Sequence, residues 1–156
     1  MGVGLSNYVE DKLLHWLFKQ TTFGIAPGAL WVSLHNPEPD ETGSNELSTA
    51  VGAYQRAQLN PDANAGDNTN WNAKAPGSPS TSQRITNKLD ITFLPASANW
   101  NSGNPIGYWG LWDDDGTPPG NFLLSGPIGV SGVVVLNGNT LKFPGGSPGS
   151  LYFQVD

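Results

Sequence analysis

The sequence predicts a mainly β fold, an antiparallel β-sandwich or jelly-roll-like domain with one N-terminal amphipathic helix, and three observations carry that prediction. The 156 residues include 20 glycines and 13 prolines, and only 13% are charged, a composition that favours short strands and turns over long helices. Short apolar runs bounded by Gly, Pro, Asn and Asp recur at the spacing of an all-β domain. Only one stretch, near the N-terminus, shows convincing helical periodicity. At this length a single domain spanning 1–156 is expected, with enough core to fold without staples.

The helix is expected over 7–19. Val9, Leu13, Trp16 and Leu17 recur at i, i+4, i+7 and i+8, and Leu14 and Phe18 broaden the stripe. Ser6 or Asn7 can cap it, while Glu10 and Asp11 in the first turn and Lys19 in the last suit its dipole. So broad an apolar face needs cover, either from a sheet or from a neighbouring subunit, which makes Val9, Leu13, Trp16 and Leu17 candidate interface residues.

A buried strand follows over 29–35, entered through Pro27-Gly28 and left through Asn36-Pro37. Residues 36–52, carrying Glu38, Asp40, Glu41 and Glu46, read as a solvated acidic loop. Residues 53–57 form a short strand that presents Arg56. The 60–84 segment is a long polar loop in which Trp71 is the one large apolar side chain, a candidate anchor that either packs as a tether or stacks on a sugar.

Further strands are expected over 85–94, 105–112, 121–127, 130–136, 140–143 and 150–155. Those at 105–112 and 121–127 form a hairpin whose wet tip holds Asp113, Asp114 and Asp115. Its first strand is apolar on both alternating faces and so belongs in the middle of a sheet. Asn137-Gly138-Asn139 predicts a second hairpin, joining 130–136 to 140–143.

Net charge of -6 argues against nucleic acid or an anionic membrane as partner, since both need clustered basic residues. No apolar run approaches a membrane span, and the N-terminus lacks the basic start and apolar core of a signal peptide, so synthesis in the cytoplasm is expected. Without cysteine there are no disulfides or thiolate metal sites. The adjacent aspartates lack the alternate spacing of a calcium loop, and His15 and His35 fit no zinc motif. Neither a nucleophile elbow nor a phosphate loop is present. No catalytic residue, metal or cofactor is therefore assigned, and a binding or structural role is favoured over an enzyme.

The segments LSNYVEDKLLHWLF, LWVSLHNPEP, Tyr54 to Arg56, TNWN at Thr69 to Asn72, ITFLPASANW, and IGYWGLWDDDG followed by GNFLLSGPI share an order and spacing. In these the chain resembles a family of small tailed-bacteriophage virion proteins, variously labelled tail-fibre, minor tail or head-decoration. It departs from the family's pattern in a longer 60–84 loop and in Pro118-Pro119 at the hairpin tip. The resemblance implies a virion structural protein and carries no catalytic residues. The favoured expectation is a capsid decoration, or cement, protein that binds and stabilises the shell of major capsid protein. Phage cement proteins commonly form trimers, so a homotrimer made in the host cytoplasm is expected. The alternative is a tail-associated receptor- or carbohydrate-binding module.

Overall fold

Of the strand expected over 105–112, residues Tyr108–Trp112, apolar on both faces, form the centre of the largest sheet among the described residues, while Ile106 makes an isolated bridge to Val133. The computed structural model describes residues 4–19, 30–59, 75–76, 83–116, 120–146 and 152–155. Trp71 and Pro118-Pro119 lie outside them. In chain order the strands are β1 (Gly4–Leu5), β2 (Trp31–His35), β3 (Ala57–Gln58), β4 (Ala75–Pro76), β5 (Gln83–Thr86), β6 (Ile91–Thr92), β7 (Tyr108–Trp112), β8 (Phe122–Pro127), β9 (Lys142–Phe143) and β10 (Tyr152–Val155). Helix α1 spans Asn7–Lys19, and a 3-10 turn spans Trp100–Gly103.

All pairings are antiparallel. The main sheet has the order β1-β8-β7-β2-β3, with smaller sheets β10-β5-β4 and β6-β9. The expected class therefore holds: antiparallel sheets and, among the described residues, a single α-helix near the N-terminus. In the main sheet Val32 faces Leu111 and Leu34 faces Trp109 across the β2–β7 ladder. These four side chains join Leu123, Ile91, Phe93, Leu141, Phe143, Tyr54 and Trp100 in one core between the main sheet and the β6–β9 pair.

The opposite side of the sheet is also dry. Ser33, His35, Gly110, Trp112 and Phe122 are buried there under the 36–46 segment. That segment is not simply solvated surface, as its charge suggested. Gly43 sits so close to the sheet that a β-carbon would lie 2.4 Å from the Trp112 ring and 2.7 Å from Phe122. Its φ of 77° further restricts the position to glycine. The reason is the hairpin: bulky aromatics on the outer face of β7 and β8 need cover, and the glycine lets the backbone supply it.

Four expected elements differ. The 85–94 strand is two strands, because the bend at 88–89 redirects the chain between β5, which pairs with β10 and β4, and β6, which pairs with β9. The buried Asn87 fastens the bend, its amide donating to the carbonyls of Leu89 and Pro144. Second, 130–136 is not a strand. Gly129 and Gly132 have φ of 57° and 67°, Gly132 N–H closes a turn onto Ile128, and only Val133 bridges to Ile106.

The predicted second hairpin consequently does not form. Asn137-Gly138-Asn139 is a turn, but it docks on Ala96 through both of that residue's backbone groups, which delivers Lys142–Phe143 to β6. Third, 75–76 and 83–84 of the expected polar loop belong to strands. Fourth, the strand expected over 53–57 is confined to Ala57–Gln58, whose ladder with Trp31 and Val32 forms an edge of the main sheet.

Candidate functional site

Helix α1 is fixed at its start and exposes apolar side chains beyond it. Ser6 is the cap: its backbone N–H bonds the Leu123 carbonyl at 2.9 Å, its hydroxyl donates to the Phe122 carbonyl at 2.6 Å, and its carbonyl accepts from Glu10 N–H. The Val9 N–H lies 3.4 Å from the same hydroxyl. One buried serine thus ties the helix to β8. Tyr8 and Val9 then pack against the core from the first turn.

After that turn the apolar side chains face water. Exposure is 37% at Leu13, 54% at Leu14, 50% at Trp16, 57% at Leu17 and 74% at Phe18. Successive helical positions advance by about 100°, so these five residues sweep roughly 200° of the circumference. A two-helix seam uses a narrower stripe. Of the four candidate interface residues, Leu13, Trp16 and Leu17 therefore lie on this outward surface, whereas Val9 belongs half to the protein's own core.

A second cluster gathers at the outer face of β2 and β7. Arg56, 9% exposed at its side chain, binds the Glu46 carboxylate at 2.7 Å and the Asp114 carboxylate at 3.2 Å. Its guanidinium lies 3.7 Å from the centroid of the Trp112 ring. Glu46 also accepts from the buried Tyr54 hydroxyl at 3.1 Å. The three adjacent aspartates are thus not one wet cluster. Asp114 is drawn to Arg56, while Asp113 grips the Asn121 backbone and side-chain amides across the hairpin. Among the described residues no three Asp, Glu or His side chains are placed to hold a metal ion.

Behind this cluster runs a chain of three hydrogen bonds. Trp112 Nε1–H donates to Ser33 Oγ at 2.9 Å, Ser33 Oγ lies 2.6 Å from His35 Nε2, and His35 Nδ1 lies 2.8 Å from the Ser44 carbonyl. A carbonyl only accepts, so Nδ1 carries the proton and Ser33 donates to Nε2. Although serine and imidazole meet as a nucleophile and base would, both side chains are 0% exposed. The chain ties the covering loop to the sheet.

Burial lowers the pKa of His35 from its ordinary 6.5, outweighing the Ser44 carbonyl and the Glu46 charge, which raise it. Arg56 adds to the lowering. The sign follows: below pH ~6.5 the unfolded chain takes up a proton that folded His35 refuses, so stability falls as pH drops. Urea melts between pH 8 and pH 5 should show stability level above pH ~7 and declining below ~6.5. A profile flat across that window would contradict the assignment. Asp40 is held to about 2 by the Thr42 hydroxyl, then by the Thr42 and Ser44 amides and the Ser44 hydroxyl. Its contribution is present above its ordinary 3.8 and lost towards 2, outside the histidine window.

Residues 4–149 match the family described as Podophage GP4 fiber I protein gp80. No curated protein matches the chain.

Proposed function

Since the chain belongs to the family described as Podophage GP4 fiber I protein gp80 and is a tailed-phage virion structural protein, we propose that it serves as a fibre component of the tail and not as a capsid decoration protein. The observation that carries this reading is the fibre description of a family whose match spans nearly the whole chain. A small β domain with a wide apolar helix face suits a fibre subunit as well as a capsid decoration protein. The role is binding and assembly, without catalysis.

The outward surface of α1 supplies the contact, and its occupants are further copies of the same chain. Leu13, Leu14, Trp16, Leu17 and Phe18 expose roughly 500 Å² of apolar surface per chain, a contiguous patch of the size that marks an interaction site. A 200° arc is too wide for one neighbouring helix and accommodates two, which favours a trimer.

Two measurements test this. Mass spectrometry of separated heads and tails should find the protein in the tail fraction; recovery in heads alone would refute the fibre reading. Light scattering on the purified chain should show an oligomer that Leu14→Glu with Leu17→Glu converts to monomer. The circular dichroism should stay unchanged, since both side chains are exposed. A monomeric parent, or a variant that still assembles, would rule out the helix contact.

A further inference from the structure

Left-handed backbone at residues other than glycine gathers, among the described residues, near one cleft. Among the described residues, four that are not glycine adopt positive φ: Asn45 at 62°, Ala53 at 58°, Asn101 at 47° and Ser102 at 54°. Such conformations are disfavoured by contact of the β-carbon with the following carbonyl, and they persist only where the surroundings enforce them. Two of the four line one cleft, and the other two are chain neighbours of residues that line it. Asn101 and Ser102 line it, Asn45 precedes Glu46 in its wall, and Ala53 lies between its residues Val51 and Tyr54.

The cleft has a volume of about 200 Å³ and lies between the 46–54 segment and the 100–103 turn. That is below the range for a drug-sized molecule, so it admits one ring-sized group. Its chemistry is mixed. Leu47 and the exposed Val51 offer an apolar wall. The Asn101 amide nitrogen donates to the carbonyls of Asn104 and Pro105, which turns its side-chain oxygen away from them as an acceptor. The Ser48 oxygen accepts from Ala50 N–H, leaving its O–H to donate, and the Ser102 hydroxyl does both. The only ionised group in the lining, Glu46, already has its charge answered by Arg56 at 2.7 Å.

We infer that this cleft is a binding site for one uncharged, hydroxyl-rich ring of the size of a single sugar residue. Hydroxyl groups donate and accept at once, matching a lining that offers both, while the carbon face of such a ring lies on Val51 and Leu47. A cation or an anion gains little from a carboxylate already paired. Strain of this kind is retained where it holds donors and acceptors in place before the ligand arrives. The inference does not depend on where in the virion the protein sits.

The test is amide NMR of the full chain titrated with methyl glucoside, methyl galactoside and N-acetylglucosamine, alongside ethylammonium and acetate. At least one neutral sugar should move the amides of 46–54 and 100–103 together with the Trp100 indole N–H, with millimolar or tighter affinity. No response to any of the three overturns the inference. So does a response confined to other residues, or one seen only with the charged probes.

Two variants sharpen it. Val51→Trp, at an exposed position on the wall, should block the response without loss of fold. Ser102→Gly relieves a left-handed residue and removes its hydroxyl, so it should raise the melting midpoint by about 2–4 °C while weakening sugar binding about tenfold. Unchanged binding in either variant, or a lowered midpoint in Ser102→Gly, counts against the site as drawn.

Discussion

Replacing Trp100 with alanine is expected to destabilise the protein by about 3–5 kcal/mol, the largest loss of any single truncation considered. Trp100 is 1% exposed and stands edge-on to Tyr54 at 5.4 Å and to Phe93 at 6.0 Å. Its indole N–H donates to the Gly52 carbonyl at 2.8 Å, and its own amide bonds the Val135 carbonyl. Alanine would leave a ring-sized cavity against Tyr54 and Phe93 and would remove one of the two hydrogen bonds the Gly52 carbonyl accepts, leaving it the one from Ser97 N–H. Phenylalanine should restore most of the packing but not the hydrogen bond. Chemical unfolding of Trp100→Ala and Trp100→Phe separates the two terms. A loss under about 1 kcal/mol for alanine would show that the site collapses around the gap.

Arg56→Ala should cost about 2–3 kcal/mol at neutral pH. The arginine is 9% exposed and bridges Glu46 and Asp114, whose side chains are 19% and 23% exposed. Removing it strands two partly dehydrated carboxylates and uncovers the Trp112 ring. Because the carboxylates keep some water, the loss falls short of a fully buried pair. Arg56→Lys should recover less than half of the loss, since an ammonium cannot hold the fork to Glu46 while lying flat on an indole. Urea melts of both variants check this, and a lysine variant as stable as the parent would disprove the role of the fork.

What could be read from the sequence was what neighbouring residues decide. Val9, Leu13, Trp16 and Leu17 mark α1 by spacing alone, and the apolar Tyr108–Trp112 run, alternating onto both faces, marks the sheet centre. The β7–β8 hairpin is local for the same reason, with Asp113 and Asn121 closing it across the tip. The misreadings arise where a distant partner decides. Val133 and Val135 look like a strand, yet they turn at Gly129 and Gly132 to reach Ile106 and Trp100. The acidic 36–52 run looks like surface, but the aromatics it covers lie some seventy residues further on. Arg56 could be picked out, but not the two carboxylates and the indole that hold it. The cleft left no trace at all, because asparagine, alanine and serine occupy left-handed positions where glycine would have signalled a turn.

The ladder between β2 and β7 has a further consequence, for the rate at which the molecule forms. Trp31 pairs with Trp112 and His35 with Tyr108, so the middle of the main sheet cannot close until segments more than seventy residues apart have met. A topology dominated by such distant pairings folds in roughly milliseconds to seconds, well behind a helix or a local hairpin. During that interval β7 carries two unsatisfied apolar faces, and the same tryptophans that later fill the core are the surface most prone to join another chain.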